Sequence, residues 1–389
     1  MRTPRAISPH AAVDGKSQFD EEDKSMTRQV RRVVTGRDAD GRSVVISDGE
    51  PPAAVWADGM GRAELWSLPA GPLHPESGGE WIPAEDDLEP LPGAIAWRAM
   101  RIAPTGRPAH PPLEQMQSDA RFDPERPGMH RTDTLDWITL FEGEIELILD
   151  DETLRLGPGD CVVQRGTSHA WRVVGNEDCV FGGLMLRAAE HGRPATPHPG
   201  PRRPGESQGV GPRRVVTQTD DDGYSRVAFD GEPPNVLRFE NGAGMAYSDI
   251  WQTLGPVVLP EAGGDASPGP FEFYALGGGA AWKHMVIPPD AALAGVDAEA
   301  LAAEYTERAP GMATGGEHDP DRPGRHRTNS IDLVHILAGR ITLMLDEDEV
   351  DLGPGDFVVQ RGTWHAWSNR GDEPCVFQAM MITTQPFPD

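Results

Sequence analysis

The chain has 389 residues, 62 of them acidic against 35 basic, for a formal net charge of −27. Phosphate backbones and anionic bilayers bind by meeting clustered Lys and Arg, so this balance excludes nucleic acid and membrane surfaces as partners and leaves a small molecule as the expected one. Three cysteines cannot build a disulfide framework and no apolar run is long enough to cross a bilayer, so the expected setting is the cytoplasm.

In chain order, residues 1–28 are polar, rich in charge and without the apolar stretch of a signal peptide; they read as a disordered tail, with Met26 a candidate start. The rest says the same thing twice. Arg31-Arg32-Val33-Val34-Thr35 returns as Arg213-Arg214-Val215-Val216-Thr217, and Asp48-Gly49-Glu50-Pro51-Pro52 returns as Asp230-Gly231-Glu232-Pro233-Pro234. A repeat of this length means two domains, 29–187 and 213–389, joined by a Pro/Gly/Arg-rich linker at 188–212 that has too few apolar residues for a core. The two halves are expected to pack as an internal pseudo-dimer, on which a further homo-oligomer can be built.

Within each repeat apolar side chains alternate, as at Ile145, Leu147 and Leu149 and again at Ile341, Leu343 and Leu345, which is the period of a β-strand. Turn-rich clusters such as Leu156-Gly157-Pro158-Gly159-Asp160 and Arg165-Gly166-Thr167 divide these strands, so each repeat predicts a sandwich or barrel of short strands. Repeat two carries extra length at about residues 290–318, where Asp297–Glu307 has helical composition and reads as a lid or a surface ornament.

The repeat also duplicates reactive residues. On an extended strand His130, Thr132, Thr134 and Asp136 share one face, as do His326, Thr328, Ser330 and Asp332. About thirty residues later a second strand ends at His169 or His365, and its return beside the first would bring two imidazoles and a carboxylate together. Trp171 and Trp367 follow those histidines by two residues and are candidate pocket walls, whereas Trp66/Trp251 and Trp97/Trp282 are expected in the core. Gln164-Arg165-Gly166-Thr167 is identical to Gln360-Arg361-Gly362-Thr363. Its arginines are candidates for pairing with a substrate carboxylate or one of the chain's own, and its glycines for a tight corner. His284 and His335 are not duplicated: His335 has the parity to face away from Asp332, and His284 is a candidate extra ligand or base in the second barrel.

These residues resemble the cupin superfamily, whose first motif is G-x5-H-x-H-x3,4-E-x6-G and second G-x5-P-x-G-x2-H-x3-N. The chain gives His130-x-Thr132-x3-Asp136-x6-Gly143 with Gly159-x6-Gly166-x2-His169, and His326-x-Thr328-x3-Asp332-x6-Gly339 with Gly355-x6-Gly362-x2-His365. The resemblance implies an all-β protein of two jelly-roll (double-stranded β-helix) barrels in tandem, with a short helical insertion in the second. It also implies a metal site in which His130, Asp136 and His169, or His326, Asp332 and His365, stand for the family's ligands. Thr132 and Thr328 replace one family histidine, and Asp136 and Asp332 replace a longer glutamate, so the carboxylate reaches less far.

Two histidines and a carboxylate suit one divalent metal per active barrel: iron first, with zinc, manganese or nickel as alternatives, or no metal at all. The reading is a metalloenzyme acting on a small organic substrate, aromatic or an oxo or hydroxy acid, in the manner of a dioxygenase. Asp136, Asp332, Arg165 and Arg361 are its candidate catalytic groups; Thr132, Gln164, Trp171, Thr328, Gln360, Trp367 and His284 are its candidate substrate contacts. A metal-dependent lyase or dehydratase, acid–base chemistry without metal, and a metal-free binding barrel are the alternatives. Asn369, His284 and the insertion favour repeat two as the active half.

Overall fold

Alternating apolar residues become strands throughout both repeats of the structure, a computed structural model. It describes residues 30–57, 59–80, 89–106, 121–188, 211–257, 278–309 and 316–386, with Leu259, Phe271 and Tyr274. The tail at 1–28, and all of the linker but Ala188, Gly211 and Pro212, lie outside the described residues.

Repeat one supplies β1 (Arg31–Arg37), β2 (Ser43–Gly49), β3 (Ala54–Ala57), β4 (Met60–Leu68), β5 (Ile95–Ile102) and β6 (Thr134–Glu142). It continues with β7 (Glu144–Ile148), β8 (Thr153–Leu156), β9 (Cys161–Arg165), β10 (Ala170–Val174) and β11 (Cys179–Arg187). Repeat two opens with β12 (Arg214–Thr219), β13 (Ser225–Gly231), β14 (Val236–Arg238), β15 (Ala246–Gln252) and β16 (Ala280–Ile287). Helices α1 (Asp290–Leu293) and α2 (Ala298–Arg308) follow, then β17 (Gly316–His318), β18 (His326–Thr328) and β19 (Ser330–Ala338). The chain closes with β20 (Ile341–Met344), β21 (Glu349–Leu352), β22 (Asp356–Arg361), β23 (Ala366–Ser368) and β24 (Cys375–Thr383).

Each barrel sets an eight-stranded sheet against a three-stranded one. In barrel one the order is β13-β12-β9-β6-β11-β5-β4-β3 over β10-β7-β8; in barrel two it is β14-β15-β16-β24-β19-β22-β1-β2 over β21-β20-β23. The repeats exchange their first hairpins. β1 of repeat one runs parallel to β22 of repeat two, and β12 of repeat two runs parallel to β9 of repeat one. The fastening is the same on both sides. The Thr35 hydroxyl accepts the Arg361 amide at 3.1 Å, the Thr217 hydroxyl accepts the Arg165 amide at 3.1 Å, and Asp346 and Asp150 accept the amides of Ser43 and Ser225 at 2.9 and 2.7 Å. The duplicated Gln-Arg-Gly-Thr corner is thus the seat of the exchanged strand.

The large sheets pack back to back. Trp66, Trp97, Trp137, Trp251 and Trp282 share one buried cluster with Leu333 and Phe357, and Trp137 stacks on Trp282 with centroids 5.8 Å apart. β6 and β19 are therefore buried on both faces and lose the alternation that solvent imposes on β7 and β8. β-Bulges between Glu64 and Trp66 and between Asp249 and Trp251 switch faces, so that each tryptophan joins the seam while the acidic residue before it stays with its own barrel.

The insertion forms α2, capped by the Asp297 carboxylate, which accepts the amides of Glu299 and Ala300. It docks on barrel two: the Tyr305 ring lies 4.4 Å from Phe239, its hydroxyl 3.0 Å from that of Tyr247, and Glu304 accepts the amides of Glu240 and Asn241 at 2.7 and 2.9 Å. Among the described residues no helix is long and apolar enough to cross a membrane.

Candidate functional site

The paired histidines are placed by main chain. His130 and His169 form an isolated β-bridge, each amide donating to the other's carbonyl at 2.9 Å, and their rings sit 4.3 Å apart. His326 and His365 repeat the bridge, with rings 4.4 Å apart. Nδ1 of His130 lies 2.9 Å from the Gly128 carbonyl and that of His169 3.0 Å from the Thr167 carbonyl; in barrel two the distances are 3.0 Å to Gly324 and 2.9 Å to Thr363. A carbonyl only accepts, so each Nδ1 carries a hydrogen, and in a neutral ring Nε2 then holds the lone pair. Burial lowers His169 and His365 to about 3, helped by the neighbouring imidazole, so both are neutral at physiological pH. Gly166 and Gly362, at φ +60° and +58°, make the corner that aims the second histidine.

Barrel one holds a cavity of about 140 Å³ bordered by His130, His169, Thr132 and Asp136. Asp136 is 6 % exposed, and its Oδ1 has no hydrogen-bond partner among the described residues. Burial raises its carboxyl to about 7; Thr134 opposes the shift, Glu89 adds to it, and Arg98 and Thr132 oppose it. Burial likewise raises Asp332 to about 7, against the hydroxyls of Ser330, which lies 2.6 Å from Oδ1, and Thr328. Apart from Arg98, the rest of the wall in barrel one is apolar, including Met100, Ile138, Trp171 and Phe181. Gly183 leaves it open: a Cβ there would meet only Ile138 Cγ1, at 3.7 Å, whereas Ala379 occupies the equivalent place in barrel two.

Several sequence expectations are redirected. The two histidines meet in each barrel, but the aspartate does not join them: among the described residues no group of three His, Cys, Asp or Glu side chains is arranged to hold a metal ion. Asp136 and Asp332 sit inside the large sheet beside Met185/Gln164 and Met381/Gln360, while the histidines sit at its end. Two imidazoles are fewer protein donors than a catalytic metal site ordinarily supplies, so the three-ligand centre does not fit these side chains.

Arg165 and Arg361, expected beside the substrate, point the other way. Their guanidinium groups lie over Trp251 and Trp66 at the seam, at 5.8 and 5.6 Å, because they alternate with the inward Gln164 and Gln360. Those glutamines brace the corner, Nε2 of Gln164 donating to the Thr167 carbonyl at 3.3 Å and that of Gln360 to the Thr363 carbonyl at 3.2 Å, and Gln164 does not border the cavity. Trp171 does border it, edge-on to His169 at 5.7 Å, and Trp367 stands likewise to His365 at 6.0 Å. The hydroxyls of Thr132 and Thr134 lie 2.8 Å apart, as do those of Thr328 and Ser330.

The features that favoured repeat two serve the framework. His284 faces the seam, 3.4 Å from Gln378, because the adjacent Lys283 takes the inward position. His335 packs against Phe141 of repeat one at 4.9 Å, on the side away from Asp332. The Asn369 side-chain amide donates to the carbonyls of Ile287 and Glu373, and the insertion covers barrel two.

Residues passed over in the sequence also reach the barrels. Arg98 borders the cavity, ion-paired to Glu64 at 2.9 Å, and Lys283 pairs with Asp249 at the equivalent place in barrel two. The signal was available: Lys283 is one of three lysines in the chain and lies in the middle of an apolar strand.

With both barrels and both histidine pairs in place, the chain is a tandem cupin, the Cupin domain family matching residues 119–186 and 312–383. Among curated proteins it is similar to Phomopsin biosynthesis cluster proteins C' and D of Diaporthe leptostromiformis, each 50% identical over 52 residues, or 12% of this chain. The chain spans 28% of the length of those relatives. Among solved structures it is similar to a putative glyoxylate induced protein from Pseudomonas aeruginosa, with TM-score 0.42, 10% identity and 88% and 87% of the two chains covered. It is also similar to an oxalate decarboxylase from Lactobacillus farciminis, with TM-score 0.36, 10% identity and 85% and 84% covered.

Proposed function

We propose that barrel one is the working barrel and that it carries out proton transfer on a ring-sized organic molecule. One observation carries the reading: a buried carboxyl with an unpartnered oxygen and two imidazoles whose Nδ1 atoms are held by main-chain carbonyls border the same cavity. A carboxyl raised to about 7 gives and takes a proton readily near neutral pH, which is what a general acid–base needs. The cavity of about 140 Å³ is close to the roughly 150 Å³ that holds a benzene ring in an engineered core. Barrel two, covered by α2, supports barrel one through the seam and the exchanged hairpins.

Carbon-13 NMR of the side-chain carboxyls tests this. Two of them should titrate near pH 7, one should vanish in Asp136→Asn, and toluene should shift that one in the wild type but not in Gly183→Leu, which fills the cavity. No effect of toluene on the Asp136 signal overturns the reading. So does near-stoichiometric metal, measured by plasma mass spectrometry on protein purified without chelator or His tag, that disappears in His130→Ala: a two-histidine metal centre then replaces proton transfer by Asp136.

A further inference from the structure

Arg98 and Glu64 face each other on β5 and β4, both about 95 % buried, with Arg98 Nε donating to the Glu64 carboxylate at 2.9 Å. Arg98 borders the cavity, and its Nη1 lies 3.2 Å from the Met185 sulfur. Across the sheet Arg98 stands opposite Gly183, which stands opposite Ile138. The middle member of that row has no side chain, so the space between the guanidinium and β6 is cavity. Arg98 also favours the charged form of Asp136, which places the two groups within electrostatic reach of each other.

The pair recurs in kind. Asp249 and Lys283 hold the equivalent strand positions in barrel two and are ion-paired there, with Lys283 fully buried. Both members differ between the repeats, yet acid and base keep their places. Stability alone does not ask for this, since replacing a buried ion pair with apolar residues of similar volume is often neutral or stabilising. A charge maintained among the apolar side chains that line most of the cavity is suited to meeting a polar atom of whatever fills the space.

We infer that Arg98, held by Glu64, is the specificity-determining anchor of barrel one and receives the oxygen of a neutral ligand, a carbonyl or phenolic oxygen on a ring of about six atoms. This rests on the reading of barrel one as a small-molecule site. Neutrality follows from the local charges. Glu64 already balances Arg98, and Asp136 adds a carboxyl to the same cavity, so a carboxylate ligand meets no net positive charge and loses its hydration. The ring meets Met60, Met100, Ile102, Phe122, Trp171 and Phe181. The organic acid considered from the sequence is disfavoured for the same reason.

The test is calorimetric titration of the full chain with toluene, phenol, cyclohexanone and benzoate. Wild type should bind phenol and cyclohexanone more tightly than toluene, with benzoate weakest. Glu64→Gln/Arg98→Met, which leaves no orphaned charge, should keep toluene and lose about tenfold or more for phenol, as expected for one hydrogen bond to a charged group. Glu64→Asp/Arg98→Lys, the pair of barrel two, should keep a reduced preference for phenol, and it provides the comparison if the first variant does not fold. Parallel changes in toluene and phenol, or benzoate binding more tightly than phenol, overturn the assignment of Arg98. Toluene failing to bind wild type overturns the cavity reading itself, and with it the anchor.

Discussion

His130 and His169 are joined by reciprocal backbone hydrogen bonds of 2.9 Å, and each ring hangs its Nδ1–H on the carbonyl two residues before it in the chain. The main chain alone thus fixes both imidazoles, and the same construction at His326 and His365 fixes the other pair. In each pair the more buried ring, His169 or His365, is neutral near pH 7.

Burying neutral histidines makes the fold sensitive to acid. His169, His365 and His335 lie at about 3 and His284 at about 4, against an ordinary value of 6.5. Below pH 6.5 the unfolded chain takes up protons at these four sites that the folded chain refuses, so their contribution to stability falls as pH drops toward 4. Asp136 and Asp332 act in the opposite sense, their contribution being lost as pH rises from 3.8 through 7, but they are two against four. The thermal midpoint should therefore peak near pH 6–7 and decline on the acid side. His335→Leu should flatten that decline and add about 1–2 kcal/mol at pH 7, because neither ring nitrogen has a hydrogen-bond partner among the described residues. Urea denaturation between pH 5 and 8 measures both; an acid limb unchanged in the variant counts against His335 as a source.

Asp136→Asn isolates the carboxyl. At pH 5 the wild-type side chain is protonated and the amide resembles it, so the two proteins should unfold at similar temperatures. By pH 9 the wild type holds a buried carboxylate and the variant does not, so the variant should become the more stable as pH rises through about 7. Calorimetric scans at both pH values show it, and a constant difference between the proteins would mean that Asp136 does not titrate in that window.

Much of the fold was legible in the sequence because it rests on local rules. Alternation gave the strands, Ala and Glu enrichment gave α2, and the repeated motif gave two barrels with paired histidines. What stayed hidden depends on tertiary context. Arg165 and Gln164 differ by one position, and only the seam decides which faces inward. The reach of Asp136 depends on where the sheet ends relative to the His130–His169 bridge, which spacing does not encode. The exchange of hairpins has no local signature, since β1 pairs with β22 more than 300 residues away.

Lys283 and Asp249 offer a separate test of the buried pairs. Lys283→Met leaves Asp249 as an uncompensated buried charge, partly held by the Asn235 amide at 2.7 Å, and should cost about 3–5 kcal/mol. Removing both charges in Asp249→Leu/Lys283→Met should recover most of that loss. Denaturant unfolding of the single and double variants forms the comparison; a double variant as unstable as the single one shows that the pair contributes through packing rather than charge.

Exchange of the hairpins makes each half depend on the other. Barrel one takes β12 and β13 from repeat two, barrel two takes β1 and β2 from repeat one, and each exchanged strand is held along its length by parallel pairing and at its ends by carboxylates and threonines of the opposite repeat. The seam adds stacked Trp137 and Trp282 and an apolar cluster drawn from both repeats. Cutting the chain between Ala188 and Gly211 removes only the covalent link, and association of the halves remains favoured by the buried seam. A protease site placed there and cleaved should give two fragments that elute together at the volume of the intact chain, with an unfolding temperature that depends on concentration. Expressed alone, residues 211–386 lack two strands of their own sheet and leave β22 as an open edge, so that fragment should aggregate or fail to fold. Fragments that separate on gel filtration and remain folded apart would mean that the hairpins pair within their own repeats.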